Sequence, residues 1–86
     1  MSGYELYLRQ EALENLRGLR GRSREVVRRF VESLKENPET LGDFRQKDET
    51  MRDIEVKIVG GQAVFYWADH AVKEVKVVDI QNADRV

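Results

Sequence analysis

Apolar and polar positions alternate at the start of the chain. Tyr4, Leu6 and Leu8 are interleaved with Glu5, Tyr7 and Arg9, the period of a short strand. From Gln10 the period lengthens. Ala12, Leu13, Leu16 and Leu19 recur at three and four residues, as on one face of a helix. Gly18 and Gly21 mark the end of that helix. Ser23 is the predicted N-cap of a second helix over 24–36, whose apolar stripe is Val26, Val27, Phe30, Val31 and Leu34. Asn37-Pro38 stops it, because proline disfavours helical geometry in the residue before it. The two helices form a hairpin joined near Gly21-Arg22. Residues 39–51 are polar, with Leu41 and Phe44 as apolar anchors. They predict a long surface loop of the kind that carries function or moves.

The second half of the chain is read as a three-strand meander. Ile54, Val56 and Ile58 alternate with Asp53, Glu55 and Lys57 in the strand Asp53 to Ile58. Gly60-Gly61 then permits the positive φ angles of a tight hairpin. Ala63 to Ala68 contains no polar residue, so it is apolar on both faces and belongs in the middle of a sheet. Val75 to Ile80 is the last strand, with an irregularity where Val77 and Val78 are adjacent. Gln81 to Val86 reads as a polar tail that frays.

The order is therefore β-α-α-β-β-β. The predicted fold class is α+β, a two-layer sandwich with the helix hairpin packed on a largely antiparallel sheet. In this reading Ile54, Val56 and Ile58 meet the helices. Asp53, Glu55 and Lys57 look outward.

Length and composition narrow the function classes. A chain of 86 residues predicts one domain, 1–86, which buries roughly 60–70% of its unfolded surface. With no cysteine and one histidine, neither a disulfide framework nor a thiolate or multi-histidine metal site is available. No cofactor and no metal are expected. No run is long enough to span a membrane, and MSGYELYLRQ does not read as a secretory leader. The expectation is a soluble, cytoplasmic protein with no membrane partner.

Charge changes the picture more. Net charge is −1, yet residues 1–35 hold eight basic and five acidic residues, a net of +3. Residues 36–55 hold three and seven, a net of −4. Arg17, Arg20, Arg22, Arg24, Arg28 and Arg29 fall within thirteen residues. Such a cluster can meet phosphates or an acidic protein. It can equally be a solvated helix surface paired with Glu14, Glu25 and Glu32.

No classical catalytic motif is present. Ser23 reads as a cap, and Ser2 and Ser33 have no evident base beside them. Asp69-His70 reads as an Asx-type turn with an exposed histidine, or as a site of proton transfer. The outward row Asp53, Glu55 and Lys57 is joined at its edge by Arg45, Lys47 and Arg52. Tyr66 faces inward or outward depending on register. Cations, an acid and a tyrosine on an open sheet face can hold RNA and cleave it, the cations stabilising phosphorane charge and a side chain activating the ribose 2′-OH. The same residues can also be an ordinary solvated face with cross-strand ion pairs.

The order of elements, the segment VESLKENPETL closing the second helix, and the run EVKIVGGQAVFYWAD resemble the RelE/ParE toxin superfamily. The aliphatic-aliphatic-tyrosine motif of that family is matched by Val64-Phe65-Tyr66. Glu55 and Lys57 stand in the places of the Glu-aliphatic-Arg strand of its HigB-like branches. The resemblance implies a RelE-like fold with the first strand beside the last. It implies the toxin of a toxin–antitoxin pair of the plasmid-stabilisation type, bound by a cognate antitoxin. It also implies a ribosome-dependent mRNA endonuclease, or a gyrase inhibitor in the ParE-like branch. Lys57 and Arg52 would contact phosphate with Lys47 and Arg45 assisting, Glu55 or His70 would be the base, and Tyr66 would pack or position. Arg85 is the one candidate near the end of the chain.

Ala63 stands where the family commonly carries an arginine just before the motif. Loss of one such charge-stabilising group lowers rate by about 10²–10³. The endonuclease expected here is weak or inactive, and the alternative is a non-catalytic interaction module that keeps the fold.

Overall fold

The computed structural model describes residues 3–86. Met1, the start of the segment read for a leader, and Ser2, set aside as a nucleophile, lie outside the described residues. The elements are β1 (Glu5–Leu8), α1 (Gln10–Gly18), α2 (Gly21–Ser33), β2 (Phe44–Lys47), β3 (Asp53–Val59), β4 (Gln62–Asp69), β5 (Glu74–Asn82) and a terminal 3₁₀ turn, Ala83–Arg85. The five strands form one sheet in the order β1-β5-β4-β3-β2. β1 runs parallel to β5, and all other pairs are antiparallel. This is an α+β two-layer fold, with the first strand beside the last. Among the described residues no helix is long and apolar enough to cross a membrane.

The helices cover the sheet with their apolar stripes. Ala12 of α1, Val27 and Val31 of α2, and Leu34 just beyond it pack on Val64, Tyr66, Val75, Val77 and Ile80. Burial of each large aliphatic side chain stabilises by about 1.5–3 kcal/mol. The Gly60-Gly61 turn behaves as the sequence requires, with φ of 59° and 76°.

Val77-Val78 also finds its cause. Phe65 pairs with Asp79 but Tyr66 pairs with Val77, so Val78 is the extra residue of a β-bulge. The bulge switches the parity of β5, so that Val77 and Ile80 both join the helix-side core. Val78 packs on the other face.

Four local expectations are corrected. First, residues 39–51 are not all loop, since Phe44–Lys47 pairs with β3 as the edge strand β2. All four residues are exposed, so burial impresses no alternation on the sequence FRQK. Second, Ser23 is not a cap. The second helix starts at Gly21 and ends at Ser33, Arg20 holds the N-cap position with no side-chain cap, and Ser23 Oγ donates to Gly60 O at 2.6 Å. That bond ties the helix start to the β3–β4 turn. Third, the tail is anchored. β5 continues to Asn82, Ala83 N–H donates to Gly61 O at 3.0 Å, and the Asn82 side chain accepts from Asp84 N–H.

The fourth correction is the largest. Glu55 and Lys57 pair across the sheet with Tyr66 and Val64, both in the helix-side core. Cross-strand partners share a face, so the charged row of β3 points to the helix side. Ile54 and Val56 instead form a second apolar cluster with Ala63 and Phe65 on the helix-free face. Because β4 is apolar on both faces, its sequence could not fix which set met the helices. The choice of Tyr66 and Val64 for the helix side decided it.

Candidate functional site

The charged row of β3 extends past the helices and is roofed by the chain leaving α2. Gly42 lies flat on β3, where a Cβ would come within 2.5 Å of Val56 O. Its N–H donates to Glu55 Oε1 at 2.7 Å, and Asp43 N–H donates to Val56 O at 2.7 Å. One residue along, the Asp43 carboxylate accepts from Ile58 N–H at 2.8 Å and pairs with Lys57 Nζ at 3.3 Å. Thr40 O accepts from the Tyr66 hydroxyl at 3.0 Å. The roof thus binds β3 and β4 through side chains that were candidates for chemistry.

A cleft of about 370 Å³ opens between this roof, the start of β3 and the end of β4. It brings together Arg45, Arg52, Glu55, Tyr66 and His70. It does not take in the other three candidates. Lys57 is held by Asp43, Lys47 pairs with Asp53 at 2.7 Å, and Arg85 lies beside Gly18 and Leu19 at the far end of α1.

Within the cleft the intended acid–base groups are already engaged. Glu55 accepts from Gly42 N–H and from Arg45 Nε at 2.6 Å, with its side chain 16% exposed. It serves as a structural clasp, joining the roof at Gly42 to the edge strand at Arg45 through two charge-assisted bonds. Tyr66 is 1% exposed and stacks edge-on against Phe30. Burial, and then the charges of Glu55 and Asp43, push its hydroxyl well above the usual phenol range. It stays protonated at neutral pH and cannot act as a base. His70 is exposed at the rim, with Nδ1 2.5 Å from the Tyr4 hydroxyl and Nε2 3.9 Å from Glu39. Asp69 is ion-paired with Lys76 at 2.9 Å and also caps the turn, accepting from Ala71 and Val72 N–H. The Asx-type reading of Asp69-His70 therefore holds.

Arg52 leads from the cleft to the helix-free face. Its guanidinium lies 3.9 Å over the Trp67 ring, and Lys76 Nζ is 5.2 Å from the same ring, both within cation–π range. Tyr7, Lys76 and Trp67 are consecutive cross-strand neighbours. Two shallow grooves of about 360 and 430 Å³ run over this face, each lined by Arg9, Arg52 and Val78. Their cations are balanced by Asp48, Asp69, Glu74 and Asp79. Sequence reasoning missed Trp67, Tyr7, Arg9 and Lys76. Their signal was the double-sided apolarity of β4, which says that the second face has a purpose but not which one. On this face Ala63 is fully buried between Ile58 and Gln81, so no cation occupies the place where the family arginine would stand.

Several surface carboxylates are held below their ordinary range. Ile58 N–H and then Lys57 lower Asp43. The Thr50 hydroxyl leads for Asp48, Lys47 for Asp53, Lys76 for Asp69 and Arg28 for Glu25. A folded pKa below the unfolded one gives stability that is present above the unfolded value and lost as pH falls through the folded one. Thermal melts should accordingly hold steady above about pH 5 and fall steeply below about pH 4. Asp43→Asn should lower the plateau and make the acid limb shallower. An acid limb identical to the parent would remove Asp43 from the linkage.

No protein-family profile matches the sequence, and no curated protein matches it. Solved structures do. The isolated RelE toxin of E. coli superposes with a TM-score of 0.75 at 22% identity, covering 98% of this chain and 88% of that one. The archaeal RelE–RelB complex from Pyrococcus horikoshii OT3 gives 0.74 at 17% identity over 100% of both chains. The intact RelBE toxin–antitoxin complex of E. coli gives 0.63 at 19% identity, over 94% of this chain and 98% of that one. The fold of this chain is the RelE fold.

Proposed function

We propose that this chain is the toxin half of a RelE-type toxin–antitoxin pair, held inactive by a cognate antitoxin protein, and that its own ribonuclease chemistry is attenuated. The observation that carries the first part is likeness over essentially the whole chain to RelE, both alone and in complexes with RelB. Ribosome-bound mRNA is the target this likeness favours over gyrase. Attenuation follows from the site. Glu55 and Lys57 are tied to the roof, Tyr66 is buried and protonated, and Ala63 supplies no charge. Loss of one transition-state cation alone costs about 10²–10³ in rate. What stays available is binding, through the cleft rim at His70 and the aromatic, cation-flanked face at Trp67.

Expression of the chain alone should slow growth, and co-expression of the neighbouring gene product should restore it. Glu55→Gln should leave the arrest in place at matched soluble protein, because Glu55 is a clasp and not the base. Normal growth, with unaltered translation and supercoiling at verified soluble expression, would overturn the toxin reading. Loss of arrest in a folded Glu55→Gln chain would restore Glu55 as a catalyst.

A further inference from the structure

Most basic residues of this chain fall into two groups, with Arg9 on the helix-free face and Lys73 in the β4–β5 turn standing apart from both. Arg28 and Arg29 pair with Glu25, and Arg28 also with Glu32. Arg45, Lys47, Arg52, Lys57 and Lys76 each have a carboxylate partner. Arg17, Arg20, Arg22 and Arg24 have none among the described residues, and all four are exposed. Glu14 of α1 accepts from Gln10 and lines the same depression as Arg85, so a carboxylate stands at the margin of this set. Arg17 ends α1, Arg20 is in the connection, and Arg22 and Arg24 open α2. Arg85, also unpaired, lines the same depression as Gly18 and Leu19. Five free guanidinium groups therefore gather at one end of a molecule whose net charge is −1.

This placement works against stability. The first turn of α2 holds no acidic residue, and Arg20, Arg22 and Arg24 stand at the positive end of the helix dipole. Arg17, in the last turn of α1, suits its helix, but the other three oppose theirs and none of the four forms an ion pair, so the set acts outward. The helical part of this surface lacks an apolar centre, since none of the exposed large hydrophobic residues lies on α1 or α2, and Val86 beside Arg85 stands only at its margin. Protein interfaces are built around an apolar core with a polar rim. Contacts to a nucleic-acid backbone need no apolar core and are led by cations, with polar side chains and backbone N–H groups beside them.

We infer that the arginine end formed by Arg17, Arg20, Arg22, Arg24 and Arg85 is a docking surface for the phosphate backbone of RNA, separate from the cleft at the opposite end of β3. It binds by charge and not by base sequence. The choice of RNA rests on the proposed function, whereas the phosphate contact does not, so growth arrest and docking can fail separately.

Fluorescence anisotropy with a labelled RNA hairpin tests this on the intact chain. With four to five phosphates neutralised, the log–log dependence of affinity on salt should have a slope of about −4. Changing Arg17, Arg20, Arg22 and Arg24 to alanine should reduce the slope to about −1 and lose at least about tenfold in affinity. Arg28→Ala with Arg29→Ala, which removes paired cations of the same helix, should leave the slope unchanged. The four-alanine chain should melt at or above the parent temperature, which separates lost docking from lost folding. A parental slope near zero, or an unchanged slope in the four-alanine chain, overturns the inference. Polyglutamate of matched charge binding as tightly as the hairpin also overturns it, in favour of an acidic protein partner.

Discussion

Tyr66→Ala is expected to remove a large share of the chain's folding stability, while Tyr66→Phe folds and keeps its biological effect. Tyr66 is among the largest fully buried side chains and joins Phe30, the helix-side core and the roof at Thr40. Truncating a buried aromatic costs about 3–5 kcal/mol. A domain of this size holds about 4–13 kcal/mol in total, at 0.05–0.15 kcal/mol per residue. Removing the hydroxyl alone leaves Thr40 O without its donor, at a cost of about 1 kcal/mol. Urea titrations of the two variants measure both numbers. Growth assays then separate roles, because a catalytic tyrosine would make Tyr66→Phe harmless to the cell at full folding. Harmless and folded is the outcome that would return Tyr66 to the chemistry.

Gly42→Ala has the next largest expected effect, for a different reason. Position 42 is not in the left-handed region; what it lacks is space. A Cβ would lie 2.5 Å from Val56 O and 2.7 Å from Val56 N. These are backbone atoms of a central element of the sheet and cannot swing aside. Relief requires lifting the roof, which would weaken Gly42 N–H to Glu55, Asp43 N–H to Val56 O and the Asp43 pairing with Lys57. Overpacking of this kind costs about 1–3 kcal/mol, a fall in melting temperature of about 5–20 °C for a domain under 100 residues. A melting temperature within a degree or two of the parent would mean that the roof is looser than its geometry indicates.

These two positions show what the sequence could and could not convey. The helix stripes and the Gly-Gly turn were legible because each has a period or a conformational demand written in local residues. β4 was recognisable as a central strand for the same reason, but its very uniformity hid its orientation. One unreadable parity, Tyr66 inward or outward, inverted the whole of β3 and moved Glu55 and Lys57 from an open surface to a roofed one. β2 was invisible because an edge strand exposed on all sides obeys no burial pattern. Gly42 looked like ordinary loop punctuation, since the requirement on it comes from Val56, fourteen residues further on. Of the candidate site, the cations were recognised as such. Which of them were spoken for depends on carboxylates brought close by folding, and no local spacing announces that.

The pairing of β1 with β5 has a consequence in time. β1 has a single neighbour in the sheet, and that neighbour is the last strand of the chain. A chain emerging from its N-terminus can form α1 and α2 early, yet their apolar stripes face a floor supplied largely by β4 and β5. Until residue 75 and beyond have appeared there is no Val75, Val77 or Ile80 to cover, and β1 has nowhere to dock. Closure is non-local and therefore late. No portion of this fold that stops short of β5 is a smaller working version of it, and its surfaces are acquired together once β5 has been made.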